Sequence, residues 1–216
     1  MKTVVNYYMP GCSNAPDGIH CVEACLKMIL KFFWPNESYS WEDLEIMTAK
    51  PKGKASSLIP ALPTLLARNV EIKIIEGWDL DRLVVEGDRY IAEVRGLESV
   101  EWAFHDSSYP PFCASLVLRP PLLEHLERRS ADIGDIKSLL RAGYILSTCV
   151  DWAVIEGVPG MSWHGLVIKG FSDEEGCCYV HDPGLPAEFN RAIPFRVFAK
   201  AWLAPNDLIA FRKAHA

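Results

Sequence analysis

Two β-rich runs in the last third of this 216-residue chain constrain its fold most: "SWHGLVIKGF" and "CCYVHDP" are joined only by "SDEEG". A link that short permits antiparallel neighbours, because parallel pairing needs a crossover of a dozen residues or more. The pairing sets His164, near the start of one run, across from Asp182, near the end of the other. "ILSTCVDW" before them and "DLIAFRK" at the close read as further strands. Between these strands and what precedes them, "DIGDIKSLLRAGY" has aspartates in its first turn and Gly143 after its last, the start and stop of a helix.

The first part of the chain has a different period. From Val22 the apolar positions Ala24, Cys25, Met28, Ile29, Phe32 and Phe33 recur at three and four residues, a helix with one buried stripe. Trp34-Pro35 ends it, since the residue before proline is pushed out of helical geometry. In "SYSWEDLEIMTA", Ser40 and Asp43 make an imperfect capping box ahead of the apolar positions Trp41, Leu44 and Met47. A helix from Ser57 to about Arg68 then leads into the strand "VEIKII". The stretch from Gly77 to Pro121 is the least legible: "RYIAEVRG" reads as a strand, and "SSYPPFCASLVLRPP" as loop or edge strand. The expected class is α+β, with an N-terminal helical part, about 20–70, packed on an antiparallel sheet formed by a strand-rich part, about 144–212, in a single domain spanning 1–216.

Composition removes several kinds of function. Half of the residues are hydrophobic, enough for a sizeable core. A net charge of -6 gives no footprint for a nucleic-acid backbone, and the short "KPKGK" at Lys50 to Lys54 reads as a solvated loop between helices. No run reaches membrane-spanning length, and "MKTVVNYYMPG" lacks the apolar core of a signal peptide. The chain is therefore expected in the cytoplasm, with no membrane or nucleic-acid partner. Its seven cysteines, an odd number, fit reduced thiols, most of them buried as small apolar groups.

Cys21 stands apart because it falls in the first turn of the first long helix, where unpaired backbone N–H groups and the helix dipole favour a thiolate. A histidine well over a hundred residues later in a strand, and an acid closing the next strand, complete the order that a cysteine nucleophile, an imidazole base and an orienting carboxylate require. Each residue also has a plain structural role: a small buried group, a half-buried strand histidine, an "HDPG" turn. Cys25, one turn on, belongs to the packed stripe. A zinc site from Cys12, His20, Cys21 and Cys25 is the rival arrangement; no C-x-x-C pair accompanies it, and Cys177 and Cys178 point to opposite faces of a strand. No metal or other cofactor is expected.

On these residues the chain resembles the C39-like cysteine peptidases, a papain-like family. "CVEACLKMILKFF" is similar to the family's nucleophile helix, "SYSWEDLEIMT" and "SSLIPALPTLLARNVEIKII" to its following helices and first strand, and "DIKSLLRAGYILSTCVDW", "SWHGLVIKGF" and "CYVHDPG" to its helix-strand unit, histidine strand and aspartate-proline strand. Gly77 to Pro121 has no counterpart. The resemblance implies a papain-like fold, Cys21 as nucleophile, His164 as base and then acid, and Asp182 orienting the imidazole. It further implies action on a peptide or small amide through a thioester. Alternatives are an acyl or peptidyl transferase using the same thiol, and an inactive binding module. Two departures stand out. Val22 occupies a position where the family usually has glycine, and the glutamine that precedes the nucleophile as oxyanion donor is missing, since the chain contains no glutamine. Asn14 is the candidate replacement, because a carboxamide can give an N–H to an oxyanion.

Overall fold

A computed structural model describes residues 3–214 except 102, 104, 105, 109 and 203. Its centre is one sheet of β1 (Val4–Asn6), β2 (Val70–Glu76), β3 (Leu126–Arg128), β4 (Ile145–Asp151), β5 (Trp163–Ser172), β6 (Cys177–Asp182), β7 (Glu188–Pro194) and β8 (Leu208–Lys213). The order is β3-β2-β8-β4-β5-β6-β7, with β1 added alongside the far end of β5. Every pairing is antiparallel except β2 with β3. At Gly170 the chain of β1 passes so close that a Cβ would overlap the Val5 carbonyl, so glycine is required there.

The sheet is covered on both faces, which is why its strands carry long apolar runs. On one face lies α1 (Cys21–Phe33), with Leu26, Ile29 and Leu30 fully buried against residues that include Ile72, Ile74, Val167 and Phe211. Full burial of each such side chain stabilises the fold by about 1.5–3 kcal/mol. α2 (Trp41–Met47) and α3 (Leu62–Ala67) flank it; the Ser40–Asp43 capping box opens α2 as the sequence predicts. On the other face α8 (Ile133–Arg141) and α10 (Phe195–Ala201) pack Ile136, Leu140 and Phe198 onto Leu146, Leu166, Ile168 and Val180. The α+β class and the packing of helices on an antiparallel sheet are as expected, though strands β1 and β2 come from the first half of the chain.

The middle of the chain differs from the sequence reading. "RYIAEVR" is not a strand but lies within α5 (Asp88–Arg95), which follows α4 (Leu80–Glu86) and precedes α6 (Leu97–Glu101). Arg, Ala and Glu favour a helix, and Gly87 and Gly96, both at positive φ, bracket the segment as helix punctuation. The proline-rich passage likewise holds α7 (Pro110–Val117). Its prolines sit in the first turn, where a helix has no use for the missing N–H.

Candidate active site

Three segments converge where α1 begins. Cys21 is the first residue of α1, and His20 ahead of it makes no side-chain cap, so the helix start is not closed by a neighbouring oxygen. The strand β5 runs beneath: an ideal Cβ on Gly165 would lie 3.8 Å from Cys21 Sγ and 3.5 Å from Val22 Cγ2. His164, the neighbour of that glycine, lies near enough to the Cys21 thiol for each to shift the other's pKa. Its Nε2 is 2.5 Å from Asp182 Oδ1, leaving Nδ1 for the sulfur. The register of β5 against β6 pairs Val167 with His181, so Asp182 sits diagonally across from His164 on the same face, within reach of a long side chain. Asp182 Oδ1 also accepts the Gly184 N–H at 2.7 Å, which fixes the carboxylate within the "DPG" turn.

The electrostatics follow from this geometry. Burial by itself pushes the Cys21 thiol up, but the hydrogen bond and charge of His164, together with the Gly165 backbone N–H, outweigh it and hold the thiol below its ordinary value. Burial acts to lower His164, yet the bond to Asp182 and the adjoining thiolate raise it to about 9. Both shifts favour the thiolate and imidazolium forms over the neutral thiol and imidazole. The other six cysteines are all pushed up, chiefly by burial. The ring of Trp152, the first residue of α9 (Trp152–Glu156), lies against His164, tilted, with centroids 5.2 Å apart. Nothing in the sequence singled out this tryptophan, which reads as the tail of a strand.

The loop before Cys21 holds Asn14. It is 8 % exposed; its Oδ1 accepts the His20 N–H at 2.7 Å, its Nδ2 donates to Gly18 O at 3.0 Å, and its backbone N–H donates to Pro183 O. Asn14 thus ties the loop to the Asp182 turn and to the residue preceding Cys21, with one of its two amide hydrogens given to Gly18. His20 is held in turn: Nδ1 faces Asp17 Oδ1 at 2.8 Å, Nε2 faces Glu45 Oε1 at 2.6 Å, and its ring meets Trp41 edge-on. Both ring nitrogens of His20 are taken by these carboxylates, so the zinc arrangement with Cys12, Cys21 and Cys25 has no histidine ligand to offer.

The "KPKGK" stretch departs from the solvated loop that its composition implies. Lys50, its side chain 3 % exposed, donates to Ile19 O and Lys54 O at 2.6 Å each and lies 3.5 Å from Glu23, a fully buried carboxylate on α1. Thr48 and Ser56 hydroxyls also donate to Glu23. A glutamate between Val22 and Ala24 in an apolar stripe was the available signal, because a buried acid demands a partner.

No family model matches the chain, and no curated protein matches it. Among solved structures, the chain is similar to a double glycine motif protease from an AMS/PCAT transporter, crystallised in complex with the leader peptide. The likeness has 12 % sequence identity and a TM-score of 0.48, covering 98 % of this chain and 99 % of that one. Among the described residues, no helix is long and apolar enough to cross a membrane.

Proposed function

We propose that the chain is a cysteine peptidase or amidase that works through Cys21, His164 and Asp182. The observation that carries this reading is a thiol held below its ordinary pKa by an imidazole that is itself raised to about 9 and hydrogen-bonded to a buried carboxylate. Cys21 attacks the carbonyl carbon and the carbonyl oxygen takes the charge. His164 delivers its proton to the leaving nitrogen as the C–N bond breaks, and a thioester remains. A water molecule, deprotonated by His164, then adds to the thioester, and the acid leaves as Cys21 recovers its thiolate. Asp182 keeps the imidazole in one orientation with Nδ1 toward the sulfur and stabilises its charged form. The oxyanion is received by the Cys21 backbone N–H at the open start of α1 and by the second amide hydrogen of Asn14.

The test is the covalent intermediate. Incubation with an activated acyl ester at pH 7 is expected to give a hydroxylamine-labile adduct on Cys21 by intact mass and peptide mapping. The adduct should vanish with time as water releases it, and be absent in Cys21→Ala. A wild-type protein that forms no adduct on Cys21 with such probes overturns the reading. An adduct that forms but never hydrolyses, and passes instead to added amines, moves the assignment to the transferase.

A further inference from the structure

The helices α4 to α7 close a cavity of about 230 Å³ over the sheet face beside α1. Its wall includes Val22 and Cys25 from the nucleophile helix, and Trp163 and Gly165, the two residues that flank His164. The space therefore reaches the neighbours of both reacting side chains. It is larger than the roughly 150 Å³ cavity that accepts a benzene molecule elsewhere. Most of its lining is apolar, Leu58, Ile74, Leu80, Ile91 and Ile209 among it.

One part of the lining is charged. Ile75 pairs with Leu208 across β2 and β8, and one step further along that register Glu76 and Asp207 oppose each other, both lining the cavity. Like charges directly opposite on paired strands are destabilising, and a buried charge calls for a partner. Among the described lining residues Arg95 is the one Lys or Arg. Its guanidinium lies over the rings of Trp78 and Trp163 and donates to the Ala204 carbonyl. Two carboxyl groups thus face a single positive charge among the described lining residues, too little to hold both of them ionised. Burial, and then the charge of Asp207, push Glu76 up to about 8, although its Oε1 accepts the Trp78 N–H at 3.0 Å and Arg95 acts to lower it. Independently, Ser108, 8 % exposed, contributes to the same lining a hydroxyl that has no partner among the described residues.

We infer that this cavity receives a substrate side chain with an alkyl stem and a cationic end, of the lysine type, the stem along Ile74 and Ile209 and the charge against Glu76 and Asp207. The inference rests on Cys21 being the nucleophile of the proposed peptidase. It names which residue that peptidase accepts beside the scissile bond. A bound ammonium would complete the charge balance with both carboxylates ionised, and Ser108 is a further acceptor for its hydrogens.

The experiment uses the full chain and two matched alkylating probes, the chloromethyl ketones of N-acetyl-lysine and N-acetyl-norleucine. In each, the Cys21 thiolate forms a C–S bond and chloride leaves, so the probes differ only in the ammonium. The lysine probe is expected to modify Cys21 at least 10-fold faster, and the ratio to fall toward one in Glu76→Gln. If that variant does not fold, protection of the wild type serves instead: n-butylammonium is expected to slow the lysine probe at concentrations where n-butanol does not. Equal rates for the two probes, a ratio that survives in Glu76→Gln, or equal protection by butanol overturns the assignment. Iodoacetamide, which needs no cavity, separates the two proposals. Slow, unselective alkylation of Cys21 by iodoacetamide refutes the nucleophile itself, whereas fast alkylation with equal ketone rates refutes the cation pocket alone.

Discussion

Replacing Asp182 with asparagine removes a charge and leaves an acceptor in place. The Oδ1 atom still accepts from His164 Nε2 and from the Gly184 N–H, so the ring keeps its orientation. What changes is the stabilisation of the imidazolium. His164 is raised from 6.5 to about 9 by Asp182 and the Cys21 thiolate against the opposing effect of burial. At 1.36 kcal/mol per pKa unit, that rise is worth about 3 kcal/mol in favour of the charged ring. A charge-assisted hydrogen bond is roughly twice as strong as a neutral one, so Asp182→Asn forfeits about half, some 1–1.5 units. The thiolate–imidazolium pair exists between the lowered pKa of Cys21 and the raised pKa of His164. In the variant that window narrows from both sides: its upper edge falls from about 9 toward 8 or slightly below, and its lower edge rises as the thiol loses its cation. The assay is the rate of Cys21 alkylation by iodoacetamide from pH 5 to 10, resolved by peptide mapping, with thermal melting to confirm an intact fold. Wild type should reach its plateau at lower pH than the variant. Superimposable profiles, or a wild-type Cys21 that titrates like an ordinary thiol, would refute the coupling.

Brief alkylation at pH 7 should modify Cys21 well ahead of half-buried Cys12 and leave Cys25 and Cys149 untouched, since burial pushes all three up; even labelling across the cysteines contradicts this. Lys50→Met strands the Glu23 carboxylate and is expected to cost about 3–5 kcal/mol in urea unfolding, with Glu23→Gln in the same chain restoring part of the loss; a single variant as stable as wild type would show that the pair is not held as described. Asn14→Asp keeps the acceptor for the His20 N–H and removes every amide donor. It should lower turnover by roughly 10²-fold if the second amide hydrogen serves the oxyanion, with KM little changed, whereas an unaltered kcat removes Asn14 from the chemistry and leaves it as a loop brace.

The parts of the fold that sequence made legible are those where one local signal sufficed. The 3–4 residue spacing of Ala24, Cys25, Met28 and Ile29 specifies α1, and the brevity of "SDEEG" specifies the pairing of β5 with β6, which brings His164 to Asp182. The middle failed because its signals are context-dependent: "RYIAEVR" offers apolar residues at both periods, and the positive-φ glycines that make it a helix are decisive only once their conformations are seen. Pairings across long separations were silent for another reason. Lys50 with Ile19, Trp152 over His164 and Glu76 opposite Asp207 each join residues whose individual sequence surroundings are ordinary.

The approach to Cys21 shows why those distant pairings matter for the proposed chemistry. From Tyr7 to Asn14 the chain is laid across the ends of β5 and β6. Tyr7 N–H donates to Lys169 O, Lys169 Nζ to Tyr7 O, His181 Nε2 to Met9 O, and Asn14 N–H to Pro183 O. His181 also accepts the Asn190 N–H at Nδ1, and burial lowers its pKa, so it serves as a neutral, single-tautomer brace. From Ile19 onward the restraint passes to the other side, where Lys50 and Glu45 bind the Ile19 carbonyl and the His20 ring. Each such bond contributes about 0.5–1.5 kcal/mol net, but their common effect is positional. The strand end that presents Asp182 and the helix start that presents Cys21 are fixed to one segment, so the thiol cannot move without straining the loop that also meets the Asp182 turn. A displacement of about 1 Å in a reacting group can cost 10²-fold in rate. Rigidity placed in the approach would let the proposed site keep Cys21 and His164 in register for proton transfer while Asp182 holds the imidazole.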